Sequence, residues 1–187
     1  MRRSGGGIGS VMSQLTRIGK ELGYKVNTQI SKYPKVFWKT AAESGQPIKI
    51  KIEINTYERT PALPLVMIRH EVASGYYTGC ADVRTFQAEE MAATKVRALY
   101  QRSKGRDLFD LWLMLEILKL DPYKIIKSFE HYRPEAFSSV MAIENLEMKL
   151  NNERFLEDLA FLAVSFNMDY QPKAAGEIVV NKLLCLL

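Results

Sequence analysis

Residues 85–120 constrain the fold of this chain most strongly, because they combine two helical patterns with charges on the apolar side. The stretch reads TFQAEEMAATKVRALYQRSKGRDLFDLWLMLEILKL and predicts two helices joined at Ser103-Lys104-Gly105. Thr85 suits the N-cap of the first helix. Glu89 and Glu90 would then lie in its first turn, where carboxylates favour the positive end of the helix dipole.

The first helix has one apolar stripe, which is typical of a helix that faces a core. Its members are Ala88, Met91, Ala92 and Leu99. Lys95 and Arg102 fall inside this stripe, whereas Arg97 lies on the opposite side, where a solvated charge is ordinary. A buried ammonium group is costly unless it is paired, so Lys95 requires an anion.

The second helix offers two anions to Lys95. Asp107 and Asp110 are spaced i,i+3 and share a face with Leu111, Met114 and Leu118. The helix is apolar nearly all round from 108 to 118, which predicts burial. Two interpretations remain open: an ion cluster that locks two helices of a bundle, or a polar site whose cations hold phosphates and whose carboxylates hold a metal or accept a proton.

The part before this stretch alternates as strands do. A helix is predicted over 11–22, ended by Gly23, followed by strands over 24–32 and 35–42. The clearest strand is 47–55, where four isoleucines occupy one face and Glu53 is the only acid on the other. Residues 59–83 predict an irregular connection with short strands at 67–68 and 76–77.

The part after this stretch predicts further helices of a bundle. Asp121-Pro122 suits a helix start, and helices are predicted over 121–132, 133–150, 151–166 and 174–187. Their apolar stripes indicate a helical core. The fold class is therefore α+β, with a small sheet part over 1–83 and a helical domain over 84–187.

Composition narrows the function classes. No apolar run approaches the roughly 20 residues that span a bilayer, and Cys80 and Cys185 are too few for a disulfide framework, which fits a cytoplasmic protein. Residues 1–106 hold 18 Lys and Arg against 8 Asp and Glu. This basic half suits a phosphate-bearing partner such as a nucleotide or RNA, although it would also solvate a sheet. Aromatic residues show no interleaving of the RNA-binding kind.

Three segments of the charged stretch resemble a known family. They are EEMA at 89–92, KVRAL at 95–99 and RSKGRDLFDL at 102–111. This pattern resembles the C-terminal signature of the AbiEii/AbiGii-type nucleotidyltransferase toxins, and the resemblance extends from about Tyr24 to the C-terminus. It implies a polymerase-β-like nucleotidyltransferase sheet followed by a helical domain. It also implies a toxin–antitoxin or abortive-infection role with an antitoxin encoded beside the toxin.

The resemblance implies roles for six residues of this sequence. Lys95 would contact the phosphates of a nucleoside triphosphate, with Arg102 and Arg106 supporting it. Asp107 and Asp110 would orient these cations or act as acid/base groups. Glu53 would supply a further catalytic carboxylate and a ligand of the metal, Mg²⁺, and the acceptor would be a nucleic acid such as tRNA.

One part of the family pattern is missing from these residues. The first motif requires Gly-Ser followed shortly by Asp-x-Asp, but the first aspartate of this chain is Asp82, far beyond Gly9-Ser10. The expectation is therefore a truncated or impaired nucleotidyltransferase. A non-catalytic remnant that binds RNA or an antitoxin is the alternative, and a purely structural ion cluster is a third possibility.

Overall fold

The structure, a computed structural model, describes residues 7–56, 60–75, 77–158 and 169–187. The chain forms two compact units, Met1–Thr60 and Pro61–Leu187. Each unit holds one small antiparallel sheet, and helices follow the strands. The α+β prediction is confirmed. The compact units divide at residue 60, whereas the sequence analysis placed a domain boundary at residue 83. The functional domains 1–83 and 84–187 stay a prediction.

The first unit is a helix followed by a three-stranded meander. The helix α1 (Ile8–Glu21) ends before Gly23, whose φ of 78° favours glycine. The strands are β1 (Lys25–Gln29), β2 (Lys35–Ala41) and β3 (Pro47–Glu53), in the spatial order β1-β2-β3. These elements match the sequence predictions. The isoleucine face of β3 is less buried than expected, because Ile48 and Ile50 are 43% and 42% exposed.

The helix α1 packs on the sheet through Trp38 on β2. The Trp38 Nε1–H donates to the carbonyl oxygen of Leu15 at 3.1 Å. Gly19 allows this approach, because a Cβ at that position would lie 2.5 Å from Trp38 Nε1 and 2.8 Å from Val26 Cγ2. Val36 on the same face of β2 is fully buried. The lysine-rich face of the sheet is the opposite one.

Gly19→Ala is therefore expected to lower the free energy of unfolding of the first unit by about 2 kcal/mol, because Trp38 and Val26 must both move. Denaturant unfolding followed by Trp38 fluorescence in a Trp112→Phe background measures this. Gly9→Ala is the matched control on the same helix, since a Cβ there meets nothing within 4 Å. Equal stability of the two variants would contradict the close packing of Gly19.

The second unit begins with a hairpin that the sequence underestimated. Its strands are β4 (Val66–Ala73) and β5 (Thr78–Thr85), paired antiparallel from Val66 with Thr85 to Ala73 with Thr78. The predicted short strand at 67–68 is the start of β4. The predicted strand at 76–77 is wrong for Tyr77, which lies between the strands, and Tyr76 is outside the described residues.

The helical part follows the hairpin directly. Its elements are α2 (Ala88–Gln101), α3 (Gly105–Trp112) with a π-helical continuation (Leu113–Ile117), α4 (Pro122–Phe129), α5 (Ser139–Leu150), α6 (Glu153–Glu157), α7 (Pro172–Lys182) and a final 3₁₀ turn (Leu184–Leu186). Asp121 caps α4 as predicted, accepting from the Tyr123 N–H at 2.9 Å.

Two predicted helix starts are wrong. Thr85 is the last residue of β5, and the N-cap of α2 is Gln87, since the hairpin extends to the edge of the helix. The helix predicted from residue 133 begins only at Ser139, because Ser138 supplies the N-cap by accepting from the Met141 N–H at 3.2 Å. The predicted continuation of the α6 helix to Phe166 lies outside the described residues.

The core of the second unit lies among its helices. Fully buried side chains include Leu108, Leu111, Ile125, Phe129 and Val179. The predicted burial of 108–118 is wrong at the end of the range, because Leu115 is still buried but Ile117 and Leu118 are 52% and 55% exposed. Within the described ranges, the chain has no helix that is both long and apolar enough to cross a membrane.

Candidate functional site

Lys95 meets both aspartates that the sequence offered to it. Its Nζ lies 2.5 Å from Asp110 Oδ2 and 3.4 Å from Asp107 Oδ1. Asp107 is fully buried, whereas the side chains of Lys95 and Asp110 are 27% and 32% exposed. The predicted pairing is confirmed. Lys95 thus joins a buried carboxylate to one that water reaches.

Arg102 is the second cation on Asp107. Its Nε donates to Asp107 Oδ2 and its Nη2 donates to Asp107 Oδ1, both at 2.7 Å. This bidentate geometry is the strong form of a guanidinium–carboxylate pair. The hydrogen bonds to Asp107 raise the pKa of Arg102 further above its ordinary value. The guanidinium side chain is still 48% exposed, so it keeps donors that face solvent.

The backbone explains how these groups converge. Helix α2 ends at Gln101, and Arg102 leaves it in an extended conformation with φ −135° and ψ 157°. Lys104 then precedes α3, which begins at Gly105 and has Asp107 in its first turn. A carboxylate in this position favours the helix dipole. The short connection brings the Lys95 face of α2 against the first turn of α3.

The apolar stripe of α2 differs from the predicted one. Ala92 and Leu99 are buried as expected, but Met91 is 41% exposed, and Ala93 and Val96 complete the buried face. The stripe is therefore rotated, and Lys95 lies at its edge. Lys95 is thus partly accessible, which a cation that binds a ligand requires.

Lys149 holds the end of α2, and the sequence did not single it out. It is 8% exposed, and its Nζ donates to the carbonyl oxygens of Leu99 and, at 3.3 Å, Tyr100. These carbonyls belong to the last turn of α2, where they have no helical partner. Burial lowers the pKa of Lys149, while the charge of Asp107 opposes the change. Lys149 therefore fixes the point at which Arg102 leaves the helix.

Lys149→Met is expected to lower the free energy of unfolding by about 2 kcal/mol, since two carbonyls lose their donor while the apolar stem remains. The free energy of unfolding of the wild type should also rise relative to that of the variant as the pH rises from the lowered pKa of Lys149 to its ordinary pKa. The folded state releases the Lys149 proton first, because its pKa is lowered there, and the unfolded state releases it only near the ordinary pKa.

Denaturant unfolding of both chains across alkaline pH measures this difference. Lys127→Met, on an exposed lysine of α4, is the control and should follow the wild type. A difference between wild type and Lys149→Met that stays constant with pH would contradict the lowered pKa.

Asp158 adds a third carboxylate that sequence analysis also missed. It lies at the end of α6, 26% exposed, with Oδ1 at 4.0 Å from Lys104 Nζ. Its Oδ2 is buried and has no hydrogen-bond partner among the described residues. The charge of Asp158 also helps to raise the pKa of Arg102. No sequence signal marks Asp158, because it follows the signature by nearly fifty residues.

Two arginines of the signature lie outside this pairing. Arg106, predicted to support the phosphates, is exposed on the first turn of α3. Arg97, expected to be an ordinary solvated charge, is half-buried, with its guanidinium carbon 5.5 Å from the centroid of the Tyr132 ring. Arg106 is therefore open to a ligand, whereas Arg97 packs against the protein.

Glu90 is a second fully buried carboxylate of the signature, and its role is structural. It accepts from the backbone N–H groups of Ala62 at 2.6 Å and Leu63 at 3.1 Å, and from the hydroxyl of Tyr132. The sequence placed Glu90 in the first helical turn but gave no sign of these partners. Glu90 therefore connects α2 by hydrogen bonds to Ala62 and Leu63, at the start of the second unit.

Glu53, the remaining predicted site residue, lies in the first unit at the end of β3. Its Oε2 is 3.0 Å from Lys51 Nζ and 3.9 Å from Lys35 Nζ. The hydrogen bond with Lys51 and the charge of Lys35 hold the pKa of Glu53 below its ordinary value. Glu53 is thus an ionised, exposed acid that two lysines neutralise.

The three predicted catalytic carboxylates do not fit a metal ion. Both oxygens of Asp107 are occupied by Arg102, Asp110 contacts Lys95, and Glu53 contacts two lysines. A divalent cation would meet positive charge at each of these acids. Among the described residues, no three His, Cys, Asp or Glu side chains are grouped as metal ligands.

Comparison with known proteins gives one match. A protein-family model described as "Nucleotidyl transferase AbiEii toxin, Type IV TA system" matches residues 7–177. No curated protein and no solved structure matches the chain. The matched range includes β3 with Glu53 and every member of the Lys95 cluster, which we define as Lys95, Arg102, Asp107 and Asp110.

Proposed function

Because the chain belongs to the AbiEii nucleotidyl transferase toxin family of type IV toxin–antitoxin systems, we propose that the Lys95 cluster binds the phosphates of a nucleoside triphosphate. One observation carries this proposal. Two cations converge on the buried Asp107, and both keep exposed surface, 27% for Lys95 and 48% for Arg102. Donors that face solvent are what a bound phosphate group requires.

Each residue of the cluster has a distinct part in this proposal. Lys95 and Arg102 contact phosphate oxygens, and the exposed Arg106 supports them. Asp107 is a positioning residue, since it is buried and holds both cations at fixed distances. Fixed cations stabilise the charge that develops on phosphate oxygens without having to reorganise. Asp110, which water reaches, is the member that could exchange a proton with a ligand.

We further propose nucleotidyl transfer to a nucleic-acid acceptor such as tRNA, with an antitoxin as the partner protein. Family membership supports the reaction class. In the family the metal would be held by the Asp-x-Asp motif, which these 187 residues lack. The remaining predicted acids do not fit a metal, so we expect transfer by this chain to be slow. Triphosphate binding rests on the cations Lys95 and Arg102, so we expect it to persist. Glu53 is proposed as the further carboxylate of the reaction.

Incubation of the full chain with labelled nucleoside triphosphates, Mg²⁺ and bulk tRNA tests the transfer step. Slow labelling of tRNA that Lys95→Met abolishes would support the proposal. Lys173→Met, on an exposed lysine of α7, is the control and should label as the wild type does. If the wild type shows no labelling of tRNA and no triphosphate binding, the proposed nucleotidyltransferase activity of this chain is refuted.

A second function has support from the same acids. Arg102 saturates Asp107, and two lysines neutralise Glu53, which suits a non-catalytic protein that binds RNA or an antitoxin. Binding without turnover would separate this function from the first. We expect any RNA affinity to weaken as salt rises, because phosphate contacts release counterions.

A further inference from the structure

The sheet of the first unit has one face covered with lysines. The antiparallel register sets Lys25 opposite Lys39 and Lys39 opposite Lys49, which makes one row across three strands. Residues two positions along each strand share that face. We call it the lysine face, and its cations are Lys25, Lys35, Lys39, Lys49 and Lys51.

The central row of this face is an electrostatic cost to the fold. Neighbouring strands lie about 4.8 Å apart, so the backbone positions of the three lysines span only about 10 Å. Like charges directly opposite on a sheet are destabilising. Lys25, Lys39 and Lys49 are exposed and have no ion pair with any acid in the described part of the chain, whereas Lys35 and Lys51 share the carboxylate of Glu53.

An aromatic ring lies in the middle of the lysine face. Phe37 is flanked by Asn27 on β1 and Lys51 on β3, and it is half-buried. Lys49 Nζ lies 4.4 Å from the centroid of the Phe37 ring, a cation–π contact. Along the chain Phe37 lies between Lys35 and Lys39, and strand pairing adds lysines of β1 and β3 around it.

We infer that the lysine face binds single-stranded RNA. The row of lysines contacts successive phosphates, and an unpaired base stacks on Phe37 when Lys49 moves off the ring. Asn27 and Gln29 on the same face supply amide donors and acceptors for base edges and the ribose 2′-hydroxyl. A bound strand would relieve the repulsion within the row. This surface is in the first unit, and its binding requires no triphosphate at the Lys95 cluster.

Fluorescence anisotropy with a labelled single-stranded RNA of mixed sequence tests the inference. The variant Lys25→Gln/Lys39→Gln/Lys49→Gln should lose at least about tenfold in affinity, and its log–log salt slope should fall by about 2, since each single-strand phosphate contact contributes about 0.7. The control has the same loss of charge on exposed lysines elsewhere, namely Lys20→Gln, Lys127→Gln and Lys173→Gln. It should retain nearly all of the affinity.

One further measurement excludes a trivial loss of fold, and another tests the stacking on Phe37. The triple variant of the row should melt at the same temperature as the wild type or higher, because repulsion is removed. Phe37→Leu should weaken binding by about tenfold with little change in the salt slope, since stacking is lost while the lysines remain.

Three results would overturn the inference. The first is equal affinity and salt slope for the wild type and the row variant. The second is equal binding of duplex and single-stranded RNA, since Phe37 requires an unpaired base. The third is binding to phosphatidylserine vesicles without binding to RNA. If Lys95→Met labels tRNA as the wild type does, the proposal for the Lys95 cluster fails, but the RNA affinity of the lysine face is unaffected. The two proposals can therefore fail separately.

Discussion

Asp107→Ala is expected to lower the free energy of unfolding of the second unit by about 3 kcal/mol, because it leaves two cations without their buried counter-charge. Arg102 loses both hydrogen bonds, and Lys95 keeps only Asp110. The start of α3 also loses a carboxylate that favours its dipole. Denaturant unfolding followed by far-ultraviolet circular dichroism measures the change.

Asp110→Ala is the matched control for Asp107→Ala on the same helix. Asp110 is 32% exposed and pairs with one cation, so its removal should cost about 1 kcal/mol or less. A cost for Asp107→Ala no larger than that of Asp110→Ala would contradict the role of Asp107 as the buried anchor of the cluster.

Glu90→Ala is expected to have a still larger effect, about 4 kcal/mol. The variant leaves the partly buried N–H groups of Ala62 and Leu63 and the buried Tyr132 hydroxyl without their acceptor. It also leaves a cavity where the fully buried side chain lay. Denaturant unfolding of the full chain measures this loss.

Glu89→Ala tests the specificity of that result, since the adjacent glutamate has the same charge and helix. In the described part of the chain, Glu89 has one long ion pair, 3.8 Å to Lys124; the side chains of Lys124 and Glu89 are 64% and 17% exposed. Its removal should cost about 1 kcal/mol or less. Similar costs for the two glutamates would mean that charge near the helix start, not the buried hydrogen bonds, determines the effect.

The sequence was most informative where partners are close along the chain. Lys95 and Asp107 are twelve residues apart across one short connection, and Asp107 and Asp110 share a helix face by spacing alone. Periodicity therefore predicted their meeting. The strands of the first unit were predicted equally well, because each alternates and a turn or a glycine separates it from its neighbour.

The sequence was least informative where the fold joins distant residues. Glu90 and Tyr132 are separated by 42 residues, and Lys149 is 50 residues from Leu99. Nothing in the local pattern marks either partner. The β4–β5 hairpin was underestimated because its strands are largely exposed and mix apolar with charged residues, so neither face shows a clear apolar alternation.

The structure also changes what a Lys95 variant can show. For a purely structural ion cluster, the sequence pattern predicts that removal of Lys95 would strand two buried carboxylates and destabilise the protein strongly. In the structure, Asp107 retains its bidentate bond with Arg102, and Asp110 reaches water. Lys95→Met should therefore cost only about 1 kcal/mol or less. A stable Lys95 variant is consequently expected whether or not the cluster binds a ligand. Only a measurement of ligand binding distinguishes a structural cluster from a binding site.

The most direct measurement is equilibrium binding of nucleoside triphosphates to the full chain by isothermal titration calorimetry, with wild type, Lys95→Met and the control Lys173→Met. We expect the wild type and the control to bind at least one triphosphate with equal affinity. Lys95→Met should bind it at least about tenfold more weakly, the loss of one charge-assisted contact. Equal binding by Lys95→Met and the wild type, or no triphosphate binding by the wild type, would contradict the phosphate-binding role of the Lys95 cluster.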